Sequence, residues 1–418
     1  QQVDFDDVRG QGTLYAKRIR VYAGSGVLNG MQLAASGEVL AATPLGLRGT
    51  AHWRLALDGQ PPWIAAASFD GDLARVAVDG NLLEPFRASA RGALLDLAAN
   101  WRLEGRAQVQ HLDPTVWGGG RALGIVTGEL RLRADRRGYG ATGQLHPSGL
   151  GAGPLDVDGF VRYARRVLHV ERLLLRHAGS GASLRAQGEL GIVAHGPRLS
   201  LDGEWQALRW PLPRADAPLH AAAGTFRLQG LWPYTLEARG RFTPAQWPAA
   251  AFEARGTLDR DHLSIEDAGL DLLGGRAQLA GELRWSPQQA WSAHGTMRRL
   301  DVALLRPGVN GRLDFRFGLD AEDFAGNLEA RFDELAGQVR GQRASGHAWV
   351  SALPDGWRFD DVRLRLGATR IDLAGQIGAR NDLRFDINAS DLALLVPDAR
   401  GRLEAAGRVG GSARDPLL

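Results

Sequence analysis

The chain contains no cysteine. Disulfides, thiolate metal sites and a cysteine nucleophile are therefore excluded. Lysine is almost missing too: Lys17 stands alone, and the remaining positive charge is arginine. Neither sign of charge dominates, since 50 basic residues face 47 acidic ones. The charges are interspersed without a polybasic block, so no nucleic-acid partner is expected. No run of about 18 apolar residues occurs, and no helix of this sequence can cross a bilayer. Aromatics make up only 7% of residues. The start, Gln1-Gln2-Val3-Asp4, lacks a methionine, a basic stretch and an apolar stretch, as expected of an internal or processed segment.

Glycine is what the chain has in quantity, with 55 residues. A signature Gly-x-Leu/Ile recurs as Gly92-Ala93-Leu94, Gly188-Glu189-Leu190, Gly281-Glu282-Leu283 and Gly375-Gln376-Ile377, at spacings of 96, 93 and 94 residues. A proline follows each at a near-constant offset: Pro114, Pro211, Pro307 and Pro397. A fixed period marks an array whose units bury their apolar faces against their neighbours. The expected division is a less regular segment 1–91, repeats 92–187, 188–280 and 281–374, and a partial repeat 375–418, without true linkers.

Within the repeats the period is two. In Leu313-Asp314-Phe315-Arg316-Phe317 the apolar and charged residues alternate, as they do in Leu130-Arg131-Leu132 and Leu364-Arg365-Leu366. Such alternation predicts strands with one apolar and one charged face, as in antiparallel sheets wet on one side. The dipeptides Asp58-Gly59, Asp70-Gly71, Asp79-Gly80, Asp158-Gly159, Asp202-Gly203 and Asp355-Gly356 predict hairpin turns. Helical turns are expected only at Leu300–Leu305 and Ser390–Leu395, each stopped by a proline. At about 10–14 residues per strand and turn, some 30–40 strands follow. A flat open sheet of that size is implausible. The expected fold is all-β: an elongated, strongly curled antiparallel sheet, apolar inside and charged outside.

Candidate chemistry is sparse. Gly138-Tyr139-Gly140-Ala141-Thr142-Gly143 matches a dinucleotide pattern, but no helix opening follows it, which favours a turn. The ten histidines lack H-x-H or H-E-x-x-H spacing, so no metal site is expected and surface or sheet-edge histidine is the default. The acidic pairs Asp6-Asp7, Asp333-Glu334 and Asp360-Asp361 should point to opposite faces of a strand, unsuited to shared acid–base work. No cofactor and no catalysis are expected.

The apolar faces remain. Read blandly they are a sandwich core. Read functionally they line a channel for acyl chains, with Leu130, Leu132, Leu184, Leu190, Leu279, Leu283, Leu313, Phe315, Phe317, Leu364, Leu366, Ile371 and Leu373 as candidate lining residues. A charge placed there, as in Phe315→Asp, is expected to block lipid passage with the fold largely intact.

Gly203-Glu204-Trp205-Gln206-Ala207-Leu208-Arg209-Trp210-Pro211-Leu212, the stretch Ile387–Pro397 and Gly401–Gly407 join the Gly-x-Leu array in a family resemblance. Over roughly residues 50–418 the chain resembles the AsmA-like, repeating β-groove family of Gram-negative bacteria, in particular the periplasmic midsection of its TamB branch. The resemblance implies a taco-shaped sheet with an apolar groove, an inner-membrane anchor outside this segment, and TamA, an outer-membrane β-barrel, as partner. The implied function is phospholipid transport between the two membranes. An alternative is a scaffold or chaperone for outer-membrane protein assembly. A transmembrane β-barrel is disfavoured because the tryptophans show no girdle spacing, and a β-helical adhesin by the long period.

Overall fold

The computed structural model describes residues 5–28, 31–56, 61–117, 124–149, 153–164, 167–193, 196–210, 219–244, 248–285, 288–322, 327–392, 400–411 and 416–417. The chain divides into two compact units, Gln1–Pro218 with Thr225–Tyr234, and Leu219–Gly224 with Thr235–Leu418.

The first unit contains β1 (Phe5–Tyr15), β2 (Arg18–Leu28), β3 (Met31–Leu40), β4 (Gly46–Leu55), β5 (Trp63–Asp72), β6 (Arg75–Glu84), β7 (Arg87–Leu95), β8 (Arg102–Leu112), β9 (Val126–Asp135), β10 (Gly138–Pro147), β11 (Leu155–Ala164), β12 (Val167–His177), β13 (Ser183–Val193) and β14 (Gly196–Trp210). The boundary falls within β15 (Leu219–Gly230) and β16 (Tyr234–Pro244). The second unit holds β17 (Ala250–Leu258), β18 (His262–Leu272), β19 (Gly275–Arg284), β20 (Ala290–Asp301), β21 (Gly311–Ala321), β22 (Leu328–Val339), β23 (Gln342–Leu353), β24 (Gly356–Leu366), β25 (Thr369–Gly378), β26 (Asp382–Ala389), β27 (Leu403–Gly411) and β28 (Pro416–Leu417).

From β1 to β14, and again from β17 to β27, each strand pairs antiparallel with its sequence neighbour. Among the described residues β1 pairs with β2 alone, so the sheet is not closed there. The expected all-β, antiparallel architecture is borne out. Among the described residues there are 28 strands, most of them 9–12 residues long before their turns are added.

The turn expectation needs correction. Only Asp355-Gly356 turns the chain, between β23 and β24. Asp70-Gly71, Asp79-Gly80, Asp158-Gly159 and Asp202-Gly203 lie inside strands, and Asp58-Gly59 falls outside the described residues. In each of the four the aspartate reaches the charged face and meets an arginine: Arg48 at 3.0 Å, Arg91 at 2.8 Å, Arg172 at 2.9 Å and Arg227 at 2.7 Å, respectively. Each glycine occupies the apolar face. Real turns include Leu273-Gly274 and Arg340-Gly341, with both residues at positive φ. The Gly138–Gly143 motif is neither a nucleotide loop nor a turn; it lies within β10.

The repeat has a structural meaning. The four signature glycines lie on β7, β13, β19 and β25, each six strands after the last. A Cβ on any of them would overlap a carbonyl oxygen of the following strand, that of Glu104, Ser200, Ser292 or Asp382. Gly188 and Gly375 also hold φ of 145° and 118°, which side chains of L-residues rarely adopt. In three of the four repeats the preceding strand bulges beside the glycine. Register shifts lie between Val170 and Leu173, Ile265 and Ala268, and Phe359 and Val362, while Val170, Ile265 and Phe359 stand opposite Gly188, Gly281 and Gly375. Bulges bend a strand and increase its twist. In those three repeats close approach and bulge coincide at the same point, where the strand is expected to bend.

Two of the four prolines stand beside short helical turns. Pro114 opens a 3-10 turn, Pro114–Trp117, after β8. Pro307 follows a single helical turn, α1 (Val302–Leu305), after β20. The Asp301 carboxylate caps α1, accepting from the Ala303 N–H at 3.0 Å. Pro211 and Pro397 lie outside the described residues, as do residues 393–395 of the expected turn at Ser390–Leu395.

Candidate functional site

Antiparallel pairing carries one row of residues across many strands on a single face. In the first unit one such row reads Gly12, Val21, Gly37, Gly49, Phe69, Val78, Gly92, Gly105, Leu132, Ala141, Gly159, Leu173, Ala186 and Gly203. Fourteen strands contribute without one polar side chain. In the second unit the row from Gly256 runs through Ile265, Gly281, Ala293, Leu319, Ala330, Val350, Phe359, Gly375 and Leu383 to Val409. Each unit therefore has an apolar face uninterrupted from strand to strand.

That face is only partly covered. All thirteen candidate lining residues are half-buried, neither exposed nor removed from water. Leu14 is 77% exposed, Ile19 46% and Trp357 53%, all on the apolar face. The chain exposes 25674 Å². One compact globule of its mass would expose roughly 16,000 Å², and two of half that mass roughly 19,000 Å².

The candidates group by unit. Leu130 and Leu132 adjoin Ala107, Gly143, Gly105 and Ala141. Leu184 lies between Leu175 and Trp205, and Leu190 between Leu168 and Leu199. In the second unit Leu279 and Phe317 flank Gly295, and Leu283 adjoins Leu263 and Trp291. Leu313 faces Leu300, Leu364 faces Ile371, Leu366 faces Thr369, and Leu373 lies between Val362 and Phe385.

Phe315 differs from the rest. It faces Met297, and its ring lies 6.3 Å from Phe317 and 5.6 Å from Phe332, edge to face. With Phe317 it packs on a buried cluster of Leu273, Ala277, Met297 and Leu300. A charge at Phe315 would disturb that packing as well as the face, so the expectation of an intact fold in Phe315→Asp is withdrawn.

Sequence reasoning missed Met297 and Leu300. They are three residues apart, so strict alternation places them on opposite faces. A register shift with Arg299 at φ 59° turns both to the apolar side. It also missed Gly12-Thr13-Leu14 on β1, six strands before β7, because the spacing to Gly92 is 80 residues.

The opposite face is charged and paired. Arg408 donates to both oxygens of Asp382 at 2.7 and 2.8 Å. Those hydrogen bonds hold the Asp382 carboxyl below its ordinary range. Two of the three acidic pairs do not split across the sheet as expected. Both lie at register shifts, and both acids of each serve the charged face. Asp333 accepts from the Trp349 indole at 3.1 Å while Glu334 pairs with Arg316. Asp360 meets Arg358 at 3.3 Å while Asp361 meets His347 at 3.0 Å. His177 is also not a surface residue. It is buried, and its Nδ1 accepts from the Ser180 N–H at 3.0 Å, closing the turn after β12. Among the described residues no group of His, Asp or Glu is placed to hold a metal, and no helix is long and apolar enough to cross a membrane.

Fold and site together define a class: an open antiparallel sheet of many strands, apolar on one face and ion-paired on the other. Residues 169–418 match the family described as TamB, N-terminal domain. The chain belongs to the TamB family. It is 23% identical over 214 residues to the translocation and assembly module subunit TamB of Haemophilus influenzae; the match covers 48% of this chain and 16% of that protein. The chain thus corresponds to a minor part of that relative's length.

Proposed function

We propose that this chain is one stretch of a periplasmic conduit carrying phospholipid between the inner and outer membranes. The observation that carries the reading is the apolar face, unbroken along each unit yet only half-buried. Acyl chains would lie on it while head groups remain toward water. Each buried CH₂ is worth about 0.8 kcal/mol, so a two-chain lipid would gain well over roughly 10 kcal/mol gross. That gradient makes escape into water rare and continuity of the face essential. The full protein would be anchored in the inner membrane outside this segment and would meet the outer-membrane barrel TamA. No cofactor and no chemical step are invoked.

Photo-crosslinking residues placed at Leu130 and Leu364 should capture phospholipid, whereas the same residues at Arg185 and Arg363, on the charged face, should not. Leu132→Asp, at a half-buried position flanked by Gly105 and Ala141, should reduce lipid passage while circular dichroism stays unchanged. Equal lipid capture from both faces would sink the proposal. A second reading, a scaffold for outer-membrane protein assembly, draws on the open edge of β1, since unpaired strand edges recruit further strands. Crosslinks from β1 to nascent barrels, with no lipid on the apolar face, would favour it.

A further inference from the structure

Three arginines break the charge pattern of the first unit's polar face. Elsewhere on that face an acid commonly sits beside a base: Arg20 and Glu38 are 3.3 Å apart, Arg48 and Asp70 3.0 Å, Arg185 and Glu204 3.1 Å. Arg91, Arg106 and Arg131 instead occupy directly opposite positions on β7, β8 and β9. Cβ atoms so placed are about 5 Å apart, and like charges there destabilise a sheet. The acids at either end of this rung are already engaged: Asp79 pairs with Arg91 at 2.8 Å and Asp158 with Arg172 at 2.9 Å. Arg106 and Arg131 have no ion-pair partner among the described residues. All three arginines line one concavity of about 770 Å³, a volume typical of small-ligand sites. Ser89, Gln108, Thr142 and Gln144 add hydroxyl and amide groups to its wall, and Glu129 adds one carboxylate.

We infer that this concavity binds a ligand bearing closely spaced phosphate groups. A guanidinium presents a rigid fork that matches phosphate oxygens two at a time. Three forks at successive strand spacings of about 4.8 Å suit several phosphates better than one carboxylate. Bound phosphates would also remove the repulsion that the stacked arginines impose. The polar side chains of the site lie on the face opposite the apolar rows, although Ala107, Leu130 and Gly143 also border the concavity. Its ligand is a soluble oligophosphate or the phosphorylated head group of a lipid.

The whole chain would be titrated at low ionic strength with sodium tripolyphosphate by calorimetry. In parallel it would be sedimented with vesicles of phosphatidylcholine, with and without phosphatidic acid. Binding of tripolyphosphate identifies a soluble ligand; binding of the phosphatidic acid vesicles alone identifies a head group. In either case the double variant Arg106→Gln, Arg131→Gln should bind at least about tenfold more weakly, with thermal stability equal to or above that of the parent. Arg172→Gln, which removes an ion-paired arginine from the same face, should bind like the parent. Arg106→Lys with Arg131→Lys keeps the charge but loses the forks, and should fall between. The proposal is overturned if the parent binds neither probe, if Arg172→Gln weakens binding as much as the double variant, or if the lysine variant binds as tightly as the parent.

Discussion

The first eight strands and the strands around β20–β22 use the same backbone design with different fillings. Across β1–β8 one row of the apolar face reads Gly10, Gly24, Ala35, Ala51, Ala67, Gly80, Ala90 and Ala107, nothing larger than a methyl group. In the second unit a row holds Leu279, Gly295, Phe317, Phe332, Ala348, Val362, Leu373 and Phe385. There the sheet covers its own apolar face, and Met297 and Leu300 become buried. The small-residue stretch leaves that space to something else. Sheet bending is therefore set by glycines and bulges common to both regions, whereas the room above the sheet is set by side chains that differ between them.

The largest effect should come from attacking what the two regions share. Gly49→Val in the first and Gly375→Val in the second both drive a side chain into the neighbouring strand, and Gly375 adds a φ of 118°. Each should lower stability by about 4 kcal/mol or more, read as a fall in the urea midpoint. A tolerated Gly49→Val would separate the regions and refute a common bending device. The next effect should expose what differs. Met297→Ala should cost about 2–5 kcal/mol, as for a cavity in a packed core. Ala51→Leu should change stability by no more than about 0.5 kcal/mol, because it adds to a half-open face. Equal losses would mean that the small-residue stretch is as tightly filled as the other.

The smallest effect concerns the charged face. Asp382 has its folded-state pKa lowered by the hydrogen bonds from Arg408. Its contribution is therefore present above the ordinary carboxylate range and is lost as pH falls through the lowered value. Asp382→Asn should lower the thermal midpoint slightly at neutral pH, and the difference should vanish once the pH is below that lowered value. A difference that persisted there would assign the loss to packing.

Alternation in Leu313–Phe317 or Leu364–Leu366 was enough to read the strands and their apolar side, because period two is a local property of the chain. The bulges were not legible. Arg299 and Glu334 occupy positive φ without being glycine, so nothing in their chemistry announces the shift. Met297 and Leu300 were lost for that reason, and the pairs Asp333-Glu334 and Asp360-Asp361 were assigned to opposite faces. The Asp-Gly dipeptides misled for a related reason. Their glycines answer to a neighbouring strand far away in sequence, which a turn rule does not consider.

The recurrence of the crowded glycine on every sixth strand has a dimensional consequence. Six is even, so within each unit a further repeat would return the chain to the edge it left. At about 4.8 Å per strand, each added module would lengthen the ladder by about 29 Å. The length of the ladder within a unit thus becomes a matter of copy number, adjustable in fixed steps.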